Sequence, residues 1–147
     1  MVALAAVAWL VYAQWWGSGG AHEIAWRDLT PRLGRVEFTR KVTAVYRTRA
    51  AFGRLLEATM PGRAPQPPPV NWAHDEVVVI ALGPRSSTGY SLRILRVVER
   101  RRSIDVYARE QTPSLSNRVT ARVTYPYRAL AIRRSDKRVF VKLQGRP

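Results

Sequence analysis

Between Glu76 and Leu82 every residue after the first is apolar, and four of them in succession are Val77, Val78, Val79 and Ile80. β-branched side chains favour extended backbone, and a run without polar alternation fits a central strand buried on both faces. The neighbouring segments instead alternate apolar and polar residues, the period-2 mark of half-buried strands. Val42 to Tyr46, Leu92 to Val98, Ile104 to Ala108, Val119 to Tyr125, Ala129 to Ile132 and Val139 to Leu143 all qualify. In the Ile104 run, Ile104, Val106 and Ala108 share one face and Asp105, Tyr107 and Arg109 the other, which points to an antiparallel sheet with one dry and one wet face.

One helix is predicted from Arg49 to Met60, where Thr48 can cap the first turn and Phe52, Leu55, Leu56 and Met60 recur at helical spacing. Pro61-Gly62 ends it, and the prolines between Pro65 and Pro69 make a stiff connector into the central strand. The fold class is therefore mainly β within α+β: an antiparallel sheet or sandwich with one packed helix, preceded by an N-terminal apolar helix. A chain of 147 residues with 46% hydrophobic residues has room for one compact domain.

From Met1 to Ala21 there is no acid or base, and Val2 to Trp16 is apolar apart from Gln14. About 20 helical residues cross a hydrocarbon core, so residues 2–16 span one only if Trp15, Trp16 and the Gly-Ser-Gly-Gly that follows reach the interface. Residues 1–21 are read as a membrane anchor or uncleaved signal segment, 22–35 as a juxtamembrane linker and 36–147 as the β domain. Arg27, Arg32 and Arg35 follow the apolar run with no basic residue before it, which by the positive-inside rule holds the domain in the cytoplasm; one or two basic residues upstream of Met1 would reverse that.

The formal charge is +15, and 22 of the 25 basic residues are arginine. Such a balance attracts polyanions, yet the arginines run from Arg27 to Arg146 without forming one block. Arg100-Arg101-Arg102 at a predicted hairpin tip and Arg133-Arg134 are the candidate polyanion-binding residues, with anionic lipid, wall polymer or nucleic acid as ligand; no nucleic-acid motif supports the last.

Chemistry finds little footing. With no cysteine, disulfides, thiolate metal sites and cysteine nucleophiles are excluded. Only His22 and His74 could act as imidazole bases. Ser87-Thr88-Gly89 has half the form of a nucleophile elbow, but Arg85 stands where its first glycine belongs and a strand rather than a helix follows. His74, Asp75 and Glu76 alternate faces in an extended chain, so they do not converge on a metal. No catalysis, cofactor, metal or small-molecule substrate is expected.

The connection Leu82-Gly83-Pro84-Arg85-Ser86-Ser87-Thr88-Gly89-Tyr90-Ser91-Leu92 joins two strong strands. It reads either as a hairpin loop or as a binding loop on a rigid scaffold. Tyr125-Pro126-Tyr127 marks a strand end or edge bulge, and its tyrosines with Tyr90 could form an amphipathic contact patch. Arg85, Ser86, Ser87, Thr88, Gly89, Tyr90, Tyr125, Pro126 and Tyr127 are thus the candidate partner-binding residues.

Trp72-Ala73-His74-Asp75-Glu76 leading into Val77-Val78-Val79-Ile80, the Gly83-Pro84-Arg85 to Thr88-Gly89-Tyr90-Ser91 loop, and the late Thr124-Tyr125-Pro126-Tyr127 occur in an order that resembles the C-terminal domain family of PrcB-type protease-complex subunits, over most of residues 36–143. The family's usual Thr-Gly-Gly-Tyr is Ser87-Thr88-Gly89-Tyr90 here, with one glycine replaced. The resemblance implies an exported, non-catalytic domain that associates with a peptidase or another envelope protein. Lipoprotein members of the family carry a lipobox cysteine, which this chain lacks, so the resemblance implies a transmembrane anchor and an extracytoplasmic domain. More loosely, Thr88-Gly89-Tyr90 is similar to the end of the Asn-Pro-Thr-Thr-Gly-Tyr loop of chagasin-type cysteine-peptidase inhibitors.

Overall fold

The computed structural model describes residues 20–145. All but the last two residues of the expected anchor, 1–21, lie outside the described residues. Among the described residues no helix is long and apolar enough to cross a membrane.

Among the described residues eight strands form two four-stranded sheets. In chain order they are β1 (His22–Glu23), β2 (Trp26–Asp28), β3 (Lys41–Tyr46), β4 (Asp75–Leu82), β5 (Ser91–Glu99), β6 (Ser103–Gln111), β7 (Tyr127–Arg133) and β8 (Arg138–Gln144). A one-turn helix α1 (Thr30–Leu33) follows β2, and α2 (Arg49–Thr59) follows β3. The first sheet has the order β1-β5-β6-β8 and the second β2-β7-β4-β3.

The central-strand expectation for Glu76 to Leu82 is met by β4, which lies between β3 and β7 and is buried along almost its whole length. Its residues feed two cores. Val77, Val79 and Ala81 pack with Phe52, Leu56 and Met60 from the α2 region, while Val78, Ile80 and Leu82 meet Leu92, Val97, Ile104 and Val106 of the opposite sheet. Period-2 alternation with apolar residues at both parities is what a middle layer requires. The molecule is therefore three layers: helix, sheet, sheet. Thr48 caps α2 as its sequence suggests, its hydroxyl accepting from the Ala51 N–H at 3.2 Å.

Three expectations need correction. The stretch 22–35, read as a linker, is built into the domain: β1 pairs with β5, β2 pairs with β7, and Leu29 and Leu33 are buried in the helix-side core. Strands of only two and three residues carry too little alternation to stand out in a sequence. Secondly, the sheets are not wholly antiparallel, because β6 and β8 pair in parallel. The chain crosses to the other sheet as β7 between them, and two reversals bring β8 back in the direction of β6. Thirdly, Val119 to Tyr125 forms no strand; a single bridge from Thr124 to Arg85 is all the pairing it makes. Its side chains lack a sheet neighbour to cover them, and Val119 and Val123 stay exposed.

Candidate partner-binding loops

Two connections change sheet at the same end of the sandwich. One runs from β4 to β5 over residues 83–90, the other from β6 to β7 over 112–126. Because β4 pairs with β7 and β5 with β6, the two crossovers must run side by side. This adjacency explains how they are laced together.

Arg85 is the first tie. Its guanidinium donates to both Glu110 carboxylate oxygens, at 2.6 and 3.2 Å, and to the carbonyls of Leu82 and Pro84. The hydrogen bond to Glu110 holds Arg85 above the usual guanidinium pKa, against the opposing effect of its partial burial. Its backbone exchanges two hydrogen bonds with Thr124, at 2.8 and 2.9 Å. Thr124 Oγ1 donates to the Ser87 carbonyl at 2.8 Å, and Thr88 and Thr120 trade two further bonds, one through the Thr88 hydroxyl.

Glycine is needed twice in this crossing. Gly83 leaves β4 at φ +78°, where an added Cβ would lie 3.2 Å from the backbone of Arg40 and Lys41. Gly89 has no such angle, but a Cβ there would sit 2.5 Å from Pro113 Cβ and 2.6 Å from Val119 Cγ1. The 112–126 loop thus lies directly on Gly89.

The predicted residues divide accordingly. Ser86 and Thr88 are exposed at the bend, and Ser87 is buried beneath it, its hydroxyl accepting from the Gly89 N–H at 3.4 Å. Tyr90 is half-buried and lines a hollow of about 690 Å³ with Lys41, Arg85, Glu110 and Pro113. Tyr125 is half-buried and lines a separate hollow beside Arg35 and Val123. The Pro126 carbonyl accepts from the Leu82 N–H at 3.0 Å, prolonging the β4–β7 ladder.

Tyr127 corrects the expectation of a contact residue. It is 8% exposed, its hydroxyl donates to the Gly34 carbonyl at 2.7 Å, and its ring packs 5.3 Å from Phe38. Burial pushes its pKa up to about 12, with Arg128 pulling it down and Asp28 adding to the rise. The ring belongs to the core.

The surface that sequence reading missed is the upper loop. Leu115, Val119 and Val123 are large apolar side chains left exposed on it. The cluster Thr112, Pro113, Ser114, Ser116 and Asn117 is a loop signature that could have flagged this stretch.

The other candidate residues stand at the opposite end. Arg101 and Arg102 are exposed at the β5–β6 tip, whereas Arg100 is held by Asp105 at 2.7 Å and by the Tyr107 hydroxyl. Arg133 is exposed, and Arg134 donates to the Trp72 carbonyl at 3.0 Å. Lys137, in the β7–β8 turn, reaches both Glu99 and the Arg100 carbonyl, so the two arginine clusters share one pole. His74 and Ser87 flank β4 on opposite ends, about 26 Å apart by strand rise, so they form no acid–base pair. Among the described residues no three His, Asp or Glu side chains gather as a metal site.

No curated protein and no solved structure matches the chain significantly. Residues 77–133, from within β4 to the end of β7, carry both crossovers and match the family model described as PrcB C-terminal, so on this stretch the chain is similar to the family its motifs resemble.

Proposed function

We propose that this chain is a non-catalytic, membrane-anchored envelope protein whose β domain binds a protein partner, a peptidase or its complex, through the paired crossovers. Residues 2–16 serve as the anchor and the domain lies outside the cytoplasm. Residues 77–133 match the family model described as PrcB C-terminal, and the resemblance of the chain's motifs to PrcB-type protease-complex subunits supports a peptidase-associated partner over other proteins. Leu115, Val119 and Val123, with the exposed rims of Tyr90 and Tyr125, offer the contact surface; Arg85, Ser87 and Gly89 act as its frame.

The observation that carries this reading is the lacing of an exposed apolar loop onto a second crossover by Arg85, Thr124 and Thr88. A loop fixed in advance loses little conformational freedom on binding, which is how rigid scaffolds favour recognition. A photo-crosslinking residue placed at Leu115 in the full chain, in its native membrane, tests it. Adducts with a peptidase or its complex from position 115, and none from an equivalent residue at Ala58 on α2, are the expected result. Equal adducts from both positions, or none with such a complex, overturn it.

A further inference from the structure

The outer face of the β1-β5-β6-β8 sheet presents cations without counter-charges. Inward residues Leu92, Ile94, Val97, Ile104, Val106 and Ala108 enter the core, which leaves Arg93, Arg96 and Arg109 facing out, joined from β8 by Arg138 and Lys142. None of these five forms an ion pair among the described residues. Arg93 and Arg109 stand directly opposite each other across the β5–β6 ladder. Like charges in that position destabilise a sheet, so the arrangement has no folding rationale of its own. The acids on this face do not offset it: Asp105 is taken by Arg100 at 2.7 Å, and Glu23 lies on the edge strand. Phe140, 47% exposed, stands among the cations with the Lys142 ammonium 5.8 Å from its ring.

We infer that this face docks on a bilayer carrying anionic headgroups, a reading that rests on the proposed anchoring by residues 2–16. Arginine and lysine beside an exposed aromatic suit the headgroup layer, where the cations meet lipid phosphates and the ring meets the acyl boundary. The tether favours the same occupant. Only residues 17–21 separate the apolar segment from β1, a reach of at most about 18 Å, and β1 is the edge strand of this very sheet. Four strands are about 14 Å across, so a chain held at the surface can lay the whole face on it. A single-stranded nucleic acid is less well served, because the Arg96 guanidinium already covers the Tyr107 ring at 4.5 Å where a base would stack.

The chain has no cysteine, so one introduced at Gln144 on this face, or at Ala58 on α2 as control, takes a fluorophore uniquely. The full chain is reconstituted into vesicles containing a headgroup-quencher lipid, either in phosphatidylcholine alone or mixed with phosphatidylglycerol. Quenching at position 144 should rise about two-fold or more with phosphatidylglycerol, fall back at high salt, and lose the rise in the Arg93→Glu/Lys142→Glu variant, with position 58 unchanged throughout. Quenching at 144 that ignores phosphatidylglycerol, that equals quenching at 58, or that is matched by protection with single-stranded DNA would overturn the docking. Flotation with pure phosphatidylcholine vesicles reads the anchor separately: a chain that floats but shows no lipid-dependent change at 144 refutes only the face, and one that does not float refutes the anchor and the docking together.

Discussion

Arg47 Nε donates to Glu76 Oε2 at 2.8 Å, and that carboxylate is fully buried while the arginine is 42% exposed. Among the described residues the second oxygen, Oε1, has no hydrogen-bond partner. Arg47 also reaches the Ser135 carbonyl at 3.0 Å, so one side chain ties the end of β3 to the start of β4 and to the β7–β8 turn. Removing one partner of such a pair leaves a buried charge uncompensated, which costs more than the pair itself contributes. Arg47→Ala should lower unfolding stability by about 3 kcal/mol, and Glu76→Gln added to it should recover part of the loss. Urea denaturation of the two variants measures both. A loss under about 0.5 kcal/mol, the range of ordinary surface substitutions, would contradict the role given to Arg47.

The Arg85–Glu110 fork makes a different prediction, because it holds loops rather than the core. A lysine keeps the charge but cannot fill two carboxylate oxygens and two carbonyls at once. Arg85→Lys should therefore leave the thermal midpoint nearly unchanged yet speed amide exchange at Thr88 and Thr124 by about ten-fold, equivalent to 1.4 kcal/mol of local opening. Exchange followed residue by residue distinguishes this from a global effect, in which amides of β4 would accelerate equally.

Two glycines should respond in opposite directions to the same substitution. At Gly53, inside α2, an added Cβ meets nothing within 4 Å, so Gly53→Ala should stabilise the protein by about 0.5–1 kcal/mol through helix propensity alone. At Gly89 the new methyl would sit within 2.6 Å of Pro113 and Val119 and must push the upper loop away. Gly89→Ala should destabilise by about 1–3 kcal/mol, as overpacking does, and weaken any partner contact made by Leu115. Thermal unfolding of the pair checks the sign of each change.

The strands that were legible are those whose side chains face a core across several residues. The β4 run, the alternation in β5 and β6, and the capped amphipathic α2 all carry their own pattern, and the structure places them where that pattern predicts. What stayed hidden depends on partners far away in sequence. β1 and β2 exist because β5 and β7 offer them an edge, and the parallel β6–β8 pairing follows from β7 lying in the other sheet. Alternation reports which side chains are buried, not which strand comes next to which. The connection at 83–90 was visible as the break between two strong strands, but its cover was not: Val119 to Tyr125 has the composition of a strand, yet one bridge to Arg85 is all the sheet pairing it makes. Tyr127 misled for a similar reason. Beside Pro126 it reads as a turn residue, yet Phe38 and the Gly34 carbonyl, both distant in sequence, draw it inward.

That inward position of Tyr127 gives the chain an alkaline limit. Burial raises the phenol to about 12 from an ordinary value of 10.0, so the folded state holds its proton more tightly than the unfolded chain does. A group raised in this way contributes its full stability below the unfolded pKa and loses it as the pH climbs through the folded one. Unfolding stability should accordingly hold level for this group up to about pH 10 and decline between pH 10 and about 12. Tyr127→Phe removes the proton and with it this part of the decline. It also removes the hydrogen bond to Gly34, so it should be less stable than the parent by about 1 kcal/mol at neutral pH, should close that gap above pH 10 and should be the more stable of the two by about pH 12. Urea midpoints for both proteins across this range measure the crossing, and parallel curves that keep a constant gap would show that the Tyr127 hydroxyl is solvated rather than buried.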